Sequence, residues 1–460
     1  MSRRILVVLG ASFLLSIAGP AVAQIRPDSY DSAPPAEPPY YRVRYEASSV
    51  DGELDLAVQY TVWIPPSVDR LRGVIVHQHG CGHWSASTGM TGAYDLHWQA
   101  LAIKHDCALF SAAYEIAEGE SCLRWRDTGR GSEAAFLRSL EELGQISGHG
   151  ELADVPWALW GHSGGGHWVG TMTLLHPDRV AAVWMKSGGP NAFDDPTAGR
   201  GDVIPVPEAA YDIPMMLHIG TKEGVTEKDG RFARLWPYAQ KLLNKMRSGG
   251  GLFGLTVDPL TEHTSGNQRY VAIPWLDTCL ESRLPVDGSN ICRAQPTDPA
   301  WLARLSNDFP SIEPVPKSDY EGDVESSIWL PNESFAEAWR SYIIDAEVPD
   351  KTAPPAPQNV RVVKGVLEWD ATADIESGIR HFIVLLDGEP IASVPRHHDN
   401  PYGRELFQGL SGSDTPRLPL RDVKYEIPEN APKDVDRYRV LSVNTAGLSS
   451  DANDISSSNR

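Results

Sequence analysis

Trp157-Ala158-Leu159-Trp160-Gly161-His162-Ser163-Gly164-Gly165-Gly166-His167-Trp168 is the stretch on which the fold turns. A short apolar run ends in a glycine-flanked serine, and a helix-forming segment follows from Gly164 to about His176. This is the strand–turn–helix context that G-x-S-x-G needs. Gly161 and Gly165 let the backbone turn sharply and let helix and strand pack closely, which leaves Ser163 exposed on a strained elbow. The pattern arises by chance in many chains, so the elements around it carry the weight.

Working outward, strands are expected at Tyr41–Glu46, Leu54–Pro65, Gly73–His79, Cys107–Tyr114, Val180–Lys186, Pro214–Ile219 and Leu252–Val257. Between them lie helical stretches at Tyr94–His105, Ser132–Ile146, Arg231–Met246 and Gly266–Leu284, and Trp329-Leu330-Pro331-Asn332-Glu333-Ser334 is expected to open a further helix through Trp339 and Ile343. Apolar strands alternating with helices specify an α/β fold, with a mostly parallel central sheet covered on both faces. After Pro354-Pro355-Ala356-Pro357 the period changes to two, at Val360, Val362, Leu367, Trp369, Ile379–Leu386 and Tyr438–Val443. Short strands without helices over about a hundred residues indicate a small all-β C-terminal sandwich.

At 460 residues the chain exceeds the size of one ordinary domain. Residues 1–23 read as a secretory signal peptide. Arg3 and Arg4 open it, Ile5 to Ala18 form the apolar core, and Ala21-Val22-Ala23 precedes a cleavage point. Residues 24–40 form a Pro-rich linker, 41–350 the α/β domain and 355–455 the sandwich. No apolar run reaches the length of a membrane span, so the mature chain is expected to be exported, secreted or periplasmic. Without Arg3 and Arg4 it carries 39 basic against 61 acidic side chains. That balance argues against nucleic acid and anionic lipid as partners, since both demand clustered positive charge.

In an oxidising compartment five cysteines are an odd set. Cys107, inside a buried strand, is the expected free thiol. Cys81 and Cys122 follow strand ends and could meet above the sheet, and Cys279 and Cys292 flank a short polar loop; other pairings stay open.

Sites in such sheets form at the carboxyl ends of the strands. A serine that cleaves an ester or amide needs a base, a carboxylate to orient that base, and donors for the oxyanion. His263 follows the strand Leu252–Val257, and Glu223 directly follows Pro214–Ile219. The catalytic candidates are therefore Ser163, Glu223 and His263, in the chain order nucleophile, acid, base. Glu227, Asp229, Asp194 and Asp195 are alternative acids. The oxyanion donors are assigned to the backbone N–H groups of Cys81 and Gly164, the former in the loop His79-Gly80-Cys81-Gly82. Trp84, Trp125 and Trp168 crowd the same strand ends and are candidates for the substrate wall. His77, His79 and His83 with Cys81 also resemble a metal-ligand run, but no second His/Asp cluster accompanies them. The reading requires neither metal nor cofactor.

Together the Gly161–Gly165 turn, the Glu223 and His263 loops and His79-Gly80-Cys81 resemble the α/β-hydrolase superfamily, over roughly residues 41–345. Within it the signal peptide, the His-Gly-Cys loop and the trailing sandwich are most similar to secreted bacterial esterases such as polyhydroxyalkanoate depolymerases and feruloyl esterases. The resemblance implies a serine hydrolase acting on a small or polymeric carboxylic ester. Two departures are plain: the acid is Glu rather than the commoner Asp, and the surroundings of Trp84 and Trp125 match no substrate-defining motif. A prolyl-oligopeptidase-type peptidase and a non-catalytic binding protein are the alternatives. The tail resembles a fibronectin type III domain, through Pro357–Val362, Leu367-Glu368-Trp369, Ser377-Gly378-Ile379 and Tyr438–Gly447; such modules serve as spacers or auxiliary domains.

Overall fold

A computed structural model describes residues 30, 33–193, 203–305, 313–346, 349–396, 408, 413–416 and 424–452. The expected signal peptide and residues 24–29, 31 and 32 of the linker lie outside the described residues. The apolar strands build one eight-stranded sheet. Its members are β1 (Tyr40–Tyr45), β2 (Val58–Trp63), β3 (Gly73–Gln78), β4 (Cys107–Tyr114), β5 (Trp157–His162), β6 (Val180–Lys186), β7 (Met215–Gly220) and β8 (Phe253–Asp258). Their order is β1-β2-β4-β3-β5-β6-β7-β8. The two contacts made by β2 are antiparallel and the rest are parallel.

Every residue of β2 through β8 is buried. That explains why these strands read as continuous apolar runs and not as alternating ones: helices cover both faces. The helices are α1 (His83–Thr88), α2 (Leu96–Lys104), α3 (Leu123–Arg126), α4 (Ser132–Ser147), α5 (Gly164–Leu175), α6 (Leu235–Ser248) and α7 (Arg269–Arg283). α1 and α3 had no sequence expectation: at six and four residues they are too short to show a period. A small antiparallel sheet of β9 (Trp301–Arg304), β10 (Val315–Pro316) and β11 (Ser327–Leu330) precedes α8 (Glu333–Asp345). Trp329 thus belongs to a strand, and the helix starts later, where the Asn332 side chain accepts the Phe335 N–H at 2.9 Å. α8 packs back on the sheet, with Trp339 Nε1 donating to the Leu255 carbonyl at 3.1 Å.

Beyond it lie two three-stranded antiparallel sheets. One holds β12 (Gln358–Val363), β13 (Val366–Asp370) and β16 (Tyr425–Glu426); the other holds β14 (His381–Leu386), β15 (Glu389–Val394) and β17 (Tyr438–Val443). Leu367, Trp369, Phe382, Val384, Tyr438 and Val440 form their shared core, which Leu96 and Ala100 of α2 join. The all-β part is therefore apolar-packed onto the α/β part. A deeper contact is ionic. Asp414 is fully buried and its carboxylate accepts from Arg269 Nε at 2.9 Å and Trp98 Nε1 at 3.1 Å. Arg269 also bonds Asp95 at 2.7 Å, and Asp95 caps α2 through the His97 and Trp98 N–H groups. Among the described residues no helix is long and apolar enough to cross a membrane.

Candidate active site

β5 delivers Ser163 to the carboxyl edge of the sheet, and α5 leaves from it. Ser163 has φ 55° and ψ −112°, a conformation that costs a non-glycine residue of order 1–3 kcal/mol. Its N–H donates to the Lys186 carbonyl at 2.7 Å, and its carbonyl accepts from His167 at 3.0 Å. Gly165 must be glycine: a Cβ there would stand 2.4 Å from the Gln78 carbonyl oxygen. The close approach of α5 to β3 depends on that missing atom.

His263 Nε2 lies 2.9 Å from Ser163 Oγ. Its Nδ1 is hydrogen-bonded to Glu223 Oε1. The other carboxylate oxygen accepts from Gly220 N–H at 2.6 Å and Ser187 Oγ at 2.7 Å, with Lys186 Nζ at 3.4 Å. Burial alone would raise the Glu223 carboxyl, but Lys186, His263 and Ser187 outweigh it and hold it down at about 2. The acid is therefore ionised at neutral pH. The loop carrying His263 is shaped by Asp258, whose Oδ1 accepts the Leu260 and Thr261 N–H groups at 2.8 and 3.0 Å. The His263 ring stacks flat on Phe232, centroids 3.6 Å apart. His162, with its ring 5.4 Å away, is kept neutral by burial, by His263 and by Lys186.

Cys81 and Gly164 line one cavity of about 270 Å³ together with Ser163 and His263. Gly164 is the first residue of α5, where N–H groups lack intrahelical acceptors. Among the described residues neither its N–H nor that of Cys81 donates to another backbone carbonyl. Cys81 is bonded to Cys122, which ties the loop after β3 to α3. Cys107 is a free buried thiol, and Cys279 and Cys292 are separate thiols as well.

Several sequence candidates fall elsewhere. Trp125 is buried and stacks on Tyr114, and buried Trp168 donates to Ser132 Oγ at 3.0 Å. Both are core side chains, and neither they nor Trp84 lines the cavity. Arg126, Arg231, Phe232, Arg234, Leu235 and Tyr238 do so instead. Glu227 and Asp229 are exposed, while Asp194 and Asp195 lie outside the described residues. The metal run does not assemble. Cys81 is committed to its disulfide, His79 Nδ1 donates to the Gly80 carbonyl and His83 Nδ1 to that of Ile116, at 2.7 and 2.8 Å.

No family model and no curated relative matches the chain. Solved structures with a similar course include a poly(3-hydroxybutyrate) depolymerase from Bordetella parapertussis, 16% identical with TM-score 0.36, covering 54% of this chain and 91% of its own. An S-formylglutathione hydrolase from Staphylococcus aureus is 12% identical with TM-score 0.33, covering 49% and 91%. Another from Agrobacterium tumefaciens is 14% identical with TM-score 0.32, covering 53% and 93%. Likenesses this distant carry no weight for the chemistry, which rests on the side chains themselves.

Three contributors had no sequence expectation. Lys186 and Ser187 hold the acid, and a lysine ending the otherwise apolar run Val180–Met185 was the available signal. Ser413 reaches in from the C-terminal part, its Oγ accepting the Gly80 N–H at 3.3 Å beside the Ser85 hydroxyl. Nothing local in the sequence signals a contact across more than three hundred residues.

Proposed function

We propose that this chain is a serine hydrolase that cleaves carboxylic esters through an acyl-enzyme on Ser163. The observation that carries the reading is the continuous hydrogen-bonded chain from Ser163 Oγ through His263 to Glu223, built on a strained turn at the mouth of a cavity. A gap of 2.9 Å is within proton-transfer reach. His263 Nε2 takes the hydroxyl proton as Oγ attacks the ester carbonyl. The Cys81 and Gly164 N–H groups receive the developing oxyanion, and ionised Glu223 stabilises the imidazolium. His263 then gives the proton to the departing alkoxide, and on the return leg it deprotonates a water that releases the acid. Lys186 and Ser187 act one step back, by keeping Glu223 charged and aimed.

A cleaved leader over residues 1–23 would export the enzyme, and the Cys81–Cys122 bond suits an oxidising compartment. In this reading the sheets after residue 350 form a type III-like module docked on the α/β part. Hydrolysis of p-nitrophenyl acetate and butyrate, assayed beside proline-containing peptides, tests the proposal. Ester turnover that vanishes in Ser163→Ala with the circular dichroism unchanged is expected. Undiminished turnover in that variant, or cleavage confined to peptides, would overturn it.

A further inference from the structure

The catalytic hydrogen bonds leave one motion of His263 weakly specified. Its ring is held at Nε2 by Ser163 and at Nδ1 by Glu223, and bonds to ring nitrogens lie close to the ring plane. Two in-plane bonds fix the line between the nitrogens but resist a tilt about that line poorly, because hydrogen-bond angles are broad. A tilt turns the Nε2 lone pair away from the serine proton. Packing on the ring faces governs it. Phe232 lies flat against His263, with centroids 3.6 Å apart and planes 4° from parallel. His162 is farther, at 5.4 Å, and inclined by 42°, so it offers no flat support.

Phe232 is held in turn. The Arg231 guanidinium carbon stands 5.0 Å over its ring. The loop between β7 and α6 carries both the acid and the phenyl ring, and its own backbone closes it. Trp236 N–H donates to the Glu223 carbonyl at 3.0 Å, and Leu235 N–H to that of Phe232 at 3.0 Å. Gly224 follows the acid at φ 107°, where a Cβ would collide with the Ala233 carbonyl oxygen. One short loop thus brings a carboxylate to the edge of His263 and an aromatic ring to its face.

We propose that Phe232 is a positioning residue for the general base: its ring fixes the tilt of His263, and its π face stabilises the imidazolium that forms as Ser163 attacks. The inference rests on the ester-hydrolase reading and adds a residue to that machinery. An aromatic face attracts a cation. His263 carries its charge only after it has taken the serine proton, so the contact strengthens toward the transition state and raises kcat. Arg231 draws on the same ring. The expected effect is therefore about three- to tenfold, the lower part of what a cation over an aromatic ring supplies. The plain alternative is that Phe232, which lines the cavity, is only a wall for the substrate.

The two roles separate kinetically. kcat and KM are measured on the full chain for p-nitrophenyl acetate and butyrate, in the parent, Phe232→Leu and Phe232→Tyr, with circular dichroism recorded for each. A platform predicts that Phe232→Leu lowers kcat by the same factor for both esters, with KM within about twofold of the parent. Phe232→Tyr, which keeps a ring, should restore most of kcat. In a His263→Ala background the effect of Phe232→Leu should vanish, since no imidazole is left to position. A kcat kept in Phe232→Leu while KM rises, losses that differ between the two esters, or an equal loss in Phe232→Tyr would overturn this inference alone. No turnover of either ester by the parent would overturn the proposed function and the inference with it.

Discussion

Asp414 offers the sharpest test of how the C-terminal part is joined to the rest. It sits fully buried against Arg269, which is 1% exposed, and Trp98. Asp414→Ala would strip two buried donors, Arg269 Nε and Trp98 Nε1, of their acceptor. Each orphaned buried donor costs about 1–3 kcal/mol, and more when the donor is charged. Asp95 still neutralises Arg269, and the Asp414 backbone carbonyl still accepts from Arg269 at 3.1 Å. The loss should therefore fall near the lower end of the ~3–5 kcal/mol typical of a broken buried pair. Asp414→Asn keeps one acceptor and should cost about half as much. Urea unfolding followed by tryptophan fluorescence is the assay, with Trp98 itself a reporter. Because adjacent Ser413 braces Gly80, kcat should fall as well, by less than the ~10²–10³ that losing an oxyanion donor costs, with KM little changed. An Asp414→Ala protein within about 1 kcal/mol of the parent and with full kcat would refute the docking.

Three further outcomes are expected. Breaking Cys81–Cys122 by Cys122→Ser opens a loop with sequence separation 41, worth about 4 kcal/mol by loop entropy; differential scanning calorimetry should show a lower Tm, and a reductant should have no further effect on the variant. Glu223→Gln should lower kcat by roughly 10³–10⁴, as the imidazolium loses its counter-charge, and steady-state ester kinetics would show it. Glu223 titrates at about 2 in the fold against an ordinary 4.5. The sign follows: a depressed carboxyl contributes stability above pH ~4.5 and loses it as pH falls toward 2. Acid titration of stability should therefore be flatter in Glu223→Gln than in the parent across that window, and identical slopes would count against the buried ion pair.

The α/β sheet was legible because its strands are buried on both faces and so stay apolar from end to end. Ser163, Glu223 and His263 could be placed because each lies in the turn or loop that follows a strand at the same rim of that sheet. Helix starts were less clear: α6 begins at Leu235 and not Arg231, and Phe232, ahead of the helix, stacks on His263. The tryptophans misled because an aromatic at a strand end reads the same whether it faces a cavity or, as Trp125 and Trp168 do, the core. The arginines of the cavity wall and the Asp414–Arg269–Asp95 cluster come from segments far apart in sequence, and tertiary placement alone joins them.

The most direct test of the central claim is covalent. Purified protein is treated with a fluorophosphonate and the modified peptide is mapped by mass spectrometry, for the parent and for His263→Ala. A nucleophile activated as described predicts one adduct, on Ser163, formed orders of magnitude more slowly without His263. A parent protein left unlabelled, or labelled at another serine at a rate His263→Ala does not change, would contradict it.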